Sequence, residues 1–125
     1  MSPGVLDPVI HPPARLQIAA LLAGVSDAEF ATLREAVGVS DSVLSKHLSA
    51  LADAGYVKLR KAALGGRQRT WASLTRNGRQ AFEGHVRALH ALLVAAESAP
   101  AVAEGQAQQP DISLTVLAEE GIGDP

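Results

Sequence analysis

Between Gly55 and Thr75 the spacing of apolar side chains switches from helical to alternating and back, and this switch restricts the chain to a mainly helical fold with one small sheet. Before the switch, Leu44, Leu48 and Leu51 recur at i, i+4 and i+7, a single apolar stripe on a helix that starts after Ser40 and ends at Gly55. Within it, Tyr56 to Lys61 alternates with Val57 and Leu59 on one face, and Thr70 to Leu74 forms a second extended run. Gly65-Gly66 supplies a turn, so the two runs predict an antiparallel hairpin across a basic loop from Lys61 to Arg69. After it, Thr75 caps a long helix to about Ser98, whose apolar positions Phe82, Val86, Leu89, Leu93 and Ala96 step by 4, 3, 4 and 3 in the manner of a coiled-coil seam. At about 1.5 Å per residue that helix is ~35 Å long, more than so small a domain can cover.

Upstream, Pro12-Pro13 suits the first turn of a helix running to about Ala23. Leu16, Ile18, Ala19, Ala20, Leu21 and Leu22 make it apolar almost all round, which predicts burial on more than one side. Ser26 with Glu29 fits a capping box, and the same stretch also reads as a short extended link. A second helix spans roughly Phe30 to Val37, with Gly38 as its stop and Ser40 as the N-cap of the third. Two helices joined by Gly38-Val39-Ser40 have the size and chemistry of a helix-turn-helix, and the following hairpin makes it a winged helix. The predicted fold is therefore mainly α with a small β-hairpin (α+β), carrying a long C-terminal dimerisation helix.

Charge points to a polyanion. The 125 residues carry a net charge of −2, but 8 basic residues stand against the single acid Asp53 between Lys46 and Arg79. From 91 onward there are 6 acids and no Lys or Arg. A local balance of +7 in an acidic chain suggests a nucleic-acid-binding face. The third helix supplies a reading surface. Opposite its leucines it shows Asp41, Ser42, Ser45, Lys46 and Ser49, short polar side chains that allow close approach to base edges in a major groove. Ser42, Ser45 and Lys46 are expected at bases, with Ser49 on the same face and His47 beside them donating to a phosphate. Lys58, Arg60, Lys61, Arg67 and Arg69 are expected on phosphates or in a flanking minor groove. Trp71 reads as a packing residue at the base of the hairpin.

Four segments occur in order between His11 and about Leu93: His11-Pro12-Pro13-Ala14-Arg15-Leu16, Leu44-Ser45-Lys46-His47-Leu48, Leu51-Ala52-Asp53-Ala54-Gly55-Tyr56-Val57 and Leu74-Thr75-Arg76-Asn77-Gly78-Arg79. With these segments at matching distances, the run resembles winged-helix transcriptional regulators of the MarR/ArsR type, closest to compact bacterial MarR-like repressors. The resemblance implies a homodimer on a palindromic double-stranded DNA operator, with the third helix as reader and Arg67 and Arg69 as wing contacts. The seam agrees independently: Leu16, Phe82, His85, Val86, Leu89 and Leu93 are the expected dimer interface. The resulting layout is an N-terminal arm at 1–10, a DNA-binding and dimerisation domain at 11–98 and an acidic, flexible tail at 99–125, in which Ile112, Leu114, Val116 and Leu117 form a docking candidate.

Other chemistry is excluded on composition. There is no cysteine, hence no disulfide, thiolate metal site or Cys nucleophile. His85 and His90 are five apart, about 140° around a helix, so they do not converge on one ion. No cofactor or metal is expected. Gly65-Gly66 is not a phosphate loop, because no Lys-Ser/Thr follows it and no helix starts there. With neither paired carboxylates nor a Ser-His-Asp order, an enzyme is not expected. Met1-Ser2-Pro3-Gly4 lacks the basic start of a signal peptide and no apolar run is long enough to span a bilayer, so a cytoplasmic protein without membrane contact is expected. Two alternatives stay open: a protein-interaction module, and a sensor answering to a small-molecule effector whose identity the sequence does not give.

Overall fold

The computed structural model describes residues 4–98. Its elements are α1 (Pro13–Ala23), β1 (Ala28–Glu29), α2 (Phe30–Val37), α3 (Asp41–Asp53), β2 (Val57–Leu64), β3 (Arg67–Leu74) and α4 (Arg76–Ser98). The three strands form one antiparallel sheet in the order β1-β3-β2. This is the predicted winged helix with a C-terminal helix. No helix among the described residues is long and apolar enough to cross a membrane. Residues to Ala91 form one compact unit; a second begins at Leu92, and its described part is the end of α4. The expected tail at 99–125, with Ile112, Leu114, Val116 and Leu117, lies outside the described residues.

Two details of the sheet refine the sequence reading. First, of the two readings of Ser26 to Glu29 the structure takes the extended one, with Ala28–Glu29 as a strand. Ala28 pairs with Ala72 and Glu29 with Trp71, so ladder bonds to β3 satisfy backbone groups that a capping box would have left to side chains. Second, the basic loop from Lys61 to Arg69 is strand. The β2–β3 ladder continues through Lys61↔Thr70 and Ala62↔Arg69 to Leu64↔Arg67. The turn is only Gly65-Gly66, both at positive φ (60° and 76°), which is what a two-residue type I′ connection requires.

The core is aliphatic. Ile18, Ala19 and Leu22 of α1, Leu33 of α2, Leu44, Leu48 and Leu51 of α3, Val57 of β2 and Ala72 of β3 are all buried together. Ile10 joins them at 0% exposure. The segment read as an N-terminal arm is thus packed from at least Gly4, whose position leaves no room for a side chain against the Gly84 carbonyl. The sequence reading missed this because one isoleucine among prolines has no period.

Tyr56 is the joint of the fold. Its N–H donates to the Leu51 carbonyl (2.9 Å) while Gly55 N–H donates to Ala52 (2.9 Å), and Gly55 takes φ 81°, so the pair closes α3 as a Schellman motif. The Tyr56 carbonyl then accepts from Thr75 N–H (3.0 Å). Thr75 Oγ1 donates to Gly55 O (2.6 Å) and accepts from Gly78 N–H (2.9 Å), capping α4 as expected. Gly78 is buried against this turn, and a Cβ there would collide with the Tyr56 carbonyl oxygen and lie 2.8 Å from its carbon.

A polar network ties the N-terminal segment to α4. Asp7 Oδ1 accepts from Val9 N–H (2.8 Å), and Asp7 Oδ2 accepts from the Tyr56 hydroxyl (2.5 Å). That bond, chiefly, raises the Tyr56 pKa. Asp7 N–H donates to Nδ1 of His85 (2.8 Å), which is wholly buried. A neutral His85 therefore carries its proton on Nε2, 3.3 Å from Nδ1 of His11. Burial first, then the proximity of His11, pushes the His85 pKa below its ordinary value, partly offset by Asp7.

Two outcomes are expected. Gly78→Ala should gain about 1 kcal/mol of helix propensity but force backbone apart in a packed seat; the net expectation is a loss of about 2 kcal/mol, read as a lower midpoint in urea. For His85, a depressed pKa in the folded state means the unfolded chain binds the proton more readily. Its contribution should be fully present above pH ~6.5 and fall away as the pH drops below that value. His47 is displaced in the same direction, so the measurement is a comparison: from pH 8 to pH 5 the Tm of His85→Gln should fall less than that of the wild type.

Candidate nucleic-acid interface

The helix-turn-helix is built by local chemistry. Gly38 closes α2 in the left-handed conformation (φ 77°, ψ 38°), and its N–H donates to Arg34 O at 2.8 Å. Ser40 caps α3 by accepting from Val43 N–H (3.2 Å). Arg34 reaches from α2 to Asp41 at the first turn of α3 (2.8 Å), fixing one helix to the next and neutralising the acid at its start.

With Leu44, Leu48 and Leu51 buried, α3 turns Ser42, Ser45, Lys46 and Ser49 outward, where with Ala50 and Asp53 they line one shallow open surface. Four of the sequence-predicted reading residues are thus brought together. His47 is not among them. It is half-buried on another side of the helix, where burial first, then Arg15 and Lys46, push its pKa below the ordinary value and favour the neutral ring.

The hairpin sorts its charges by register. Residues directly opposite share a face, so the ladder puts Lys58, Arg60, Arg67 and Arg69 on one face of the sheet with Trp71 and Ser73. Lys61 falls on the other face, with Leu59 and Thr70. A loop reading could not make this distinction. The Arg60 guanidinium sits 5.6 Å from the centre of the Trp71 ring, a cation–π distance, so the tryptophan supports a basic side chain on the surface.

Two of these arginines have acidic partners on or next to β1, which the sequence reading did not anticipate. Arg69 Nη1 is 2.8 Å from Glu29 Oε2, and Arg60 Nη2 is 3.0 Å from Asp27 Oδ2. Only the pairing of β1 with β3 brings these acids to the hairpin. Arg79, also within the basic stretch, donates to the Ala23 carbonyl at the end of α1 (3.1 Å). Among the described residues, Lys46, Lys58, Lys61, Arg67 and Arg76 make neither ion pair nor side-chain hydrogen bond. Glu29, Arg34, Asp41, Arg67 and Arg69 line a groove of about 530 Å³ between the start of α3 and the hairpin.

The residues expected at a dimer interface divide. His85 is enclosed within its own chain by Asp7 and His11 and offers no surface. Leu16 and Phe82 are half-buried against their own core. The inward stripe of α4 is Gly78, Ala81, His85 and Ala88, one residue ahead of the expected seam, so Val86 is left 43% exposed and Leu89 half-covered. Leu93, in the second unit, is 64% exposed. Among the described residues no group of three or more His, Asp or Glu is placed to hold a metal ion.

The chain is 36% identical over 72 residues to MJ0432, an uncharacterised protein of Methanocaldococcus jannaschii, a match covering 58% of this chain and 78% of the relative. A transcriptional regulator homologue from Pyrococcus horikoshii OT3 superposes with a TM-score of 0.66 at 24% identity, over 70% of this chain and 87% of the other. HlyU from Vibrio cholerae N16961 superposes with a TM-score of 0.53 at 25% identity, over 69% and 85%. Residues 14–93, which include both helices of the turn, the hairpin and most of α4, match the winged helix DNA-binding domain. The fold, the capped helix pair and this match agree: the chain belongs to the winged helix DNA-binding domain family.

Proposed function

We propose that this protein is a homodimeric transcriptional regulator that binds double-stranded DNA sequence-specifically and represses by occluding a promoter. The observation that carries the reading is the outward stripe of Ser42, Ser45, Lys46 and Ser49 on a capped helix beside a hairpin with basic residues on one face. Short hydroxyl side chains let the helix backbone approach base edges, and Lys46 reaches a guanine or a phosphate. Lys58 and Arg67 supply sequence-independent attraction from the hairpin. His47, neutral and partly covered, contributes at most one N–H to a phosphate. Exposed Val86 and Leu93 and half-covered Leu89 on α4 support pairing of that helix with its copy, which places two α3 helices one DNA turn apart on a palindrome.

Fluorescence anisotropy on upstream DNA and on scrambled DNA across a salt series tests the DNA reading. Cognate DNA should bind more tightly, and log Kd should depend steeply on log salt. Arg67→Gln should weaken both DNAs and reduce the salt slope by about 0.9 per protomer. Ser45→Ala should instead cost about 0.5–1.5 kcal/mol, the worth of one neutral hydrogen bond, on cognate DNA alone. If the wild type binds no DNA near ~50 mM salt, a protein-binding winged helix becomes the better account. Sedimentation tests the assembly: the wild type should be a dimer at micromolar concentration and Val86→Asp a monomer, and a monomeric wild type would remove the palindrome.

A further inference from the structure

On the outward face of the sheet, four basic side chains meet two acids. Lys58, Arg60, Arg67 and Arg69 project from β2 and β3, while Glu29 stands opposite Trp71 on β1 and Asp27 immediately precedes that strand. Each acid takes one arginine, Glu29 holding Arg69 and Asp27 holding Arg60. Arg67 and Lys58 are left without an acidic partner among the described residues.

These pairs do little for stability. Arg60 and Asp27 are 53% and 38% exposed, Arg69 and Glu29 36% and 20%, and ion pairs at such exposure are screened by solvent and add little to folding. Their effect on a polyanion is larger. Each unpaired cation that meets a phosphate releases a condensed counterion, whereas a cation already held by a carboxylate brings that negative charge with it. Attraction of this kind is blind to sequence, and it competes with reading by α3 because it supplies essentially all of the binding to arbitrary DNA but only a share of the binding at a recognised site.

We propose that Glu29 and Asp27 are specificity-determining residues of this surface: they mask two of the four positive charges on the outward face of the hairpin, so that affinity for arbitrary DNA is held down and the contacts of α3 decide among sequences. The proposal rests on the DNA-binding reading above and assigns the two acids a role within it. Glu29 matters more, because its pair is the shorter and more enclosed one.

The test is Glu29→Gln, which keeps the shape of the side chain and removes its charge. On scrambled DNA the variant should bind up to about eightfold more tightly per protomer at 0.1 M salt, with a slope steeper by about 0.9, and its preference for cognate DNA should shrink. Asp27→Asn should act in the same direction. In an Arg69→Gln background the Glu29→Gln increase in salt slope should vanish, because no arginine is left there to be freed, which separates charge masking from a general change in the hairpin. Elution from a heparin column provides a measure that does not depend on duplex recognition, and Glu29→Gln should need more salt to elute. If the wild type binds no duplex but the elution shift persists, masking stands and the DNA reading fails. An unchanged slope and unchanged elution, or a steeper slope that survives in the Arg69→Gln background, would overturn the proposal.

Discussion

The seat of α4 on the Gly55-Tyr56 turn is the constraint on which the other elements depend. One residue, Tyr56, ends α3 through its N–H, anchors the cap of α4 through its carbonyl and binds Asp7 through its hydroxyl. Gly78 permits the approach because any side chain there would enter the Tyr56 backbone. β2 starts one residue later and β3 ends at Leu74, next to the cap residue Thr75. The orientation of the reading helix, the root of the hairpin and the start of the C-terminal helix are therefore set at a single point. A small domain without disulfides and with few aromatic residues gains rigidity from such a shared joint at little cost in length.

The hairpin turns a basic sequence into a directional surface. Because its turn is only two glycines, the register is fixed from Val57↔Leu74 to Leu64↔Arg67, and register decides which face each charge occupies. Alternation places Arg67 and Lys58 on the same face as the Arg60–Trp71 pair and sends Lys61 to the other side. The short β1 strand then adds acids to that face, so the surface differs from what a tally of basic residues between 46 and 79 conveys. On the helical side, Arg34 spends its charge on Asp41, leaving the outward stripe of α3 with hydroxyls and a single cation, Lys46.

Buried polarity is concentrated where the N-terminal segment crosses α4. His85 is enclosed by the Asp7 backbone and His11, and Ile10 enters the core beside them. In the sequence, His85 adjoins an apolar seam and reads as an interfacial residue. The helix is rotated by one position relative to that expectation because Gly78 must face Tyr56, which carries Ala81, His85 and Ala88 inward with it. Val86 and Leu89 are left partly uncovered as a result, and they retain the apolar character from which a partner helix was inferred.

Local spacing in the sequence assigns the four helices, the two hairpin strands and their order, but not the strand β1. Local rules carry that information: leucines at i, i+4 and i+7 mark α3, Ser40 and Thr75 cap helices with their own hydroxyls, Gly38 and Gly55 stop them at positive φ, and Gly65-Gly66 sets a two-residue turn. The short polar face of α3 was legible for the same reason, since helical spacing alone assigns it. Tertiary structure decided what depends on partners distant in the chain. The pairing of β1 with β3 over 40 residues brought Glu29 to Arg69, and the crossing of 78 residues between Asp7 and His85 buried a histidine and a segment with no period of its own. Neither the partner of a charge nor the inward side of a nearly symmetric amphipathic helix is written in local spacing, because both are fixed by which surfaces pack when the whole core closes.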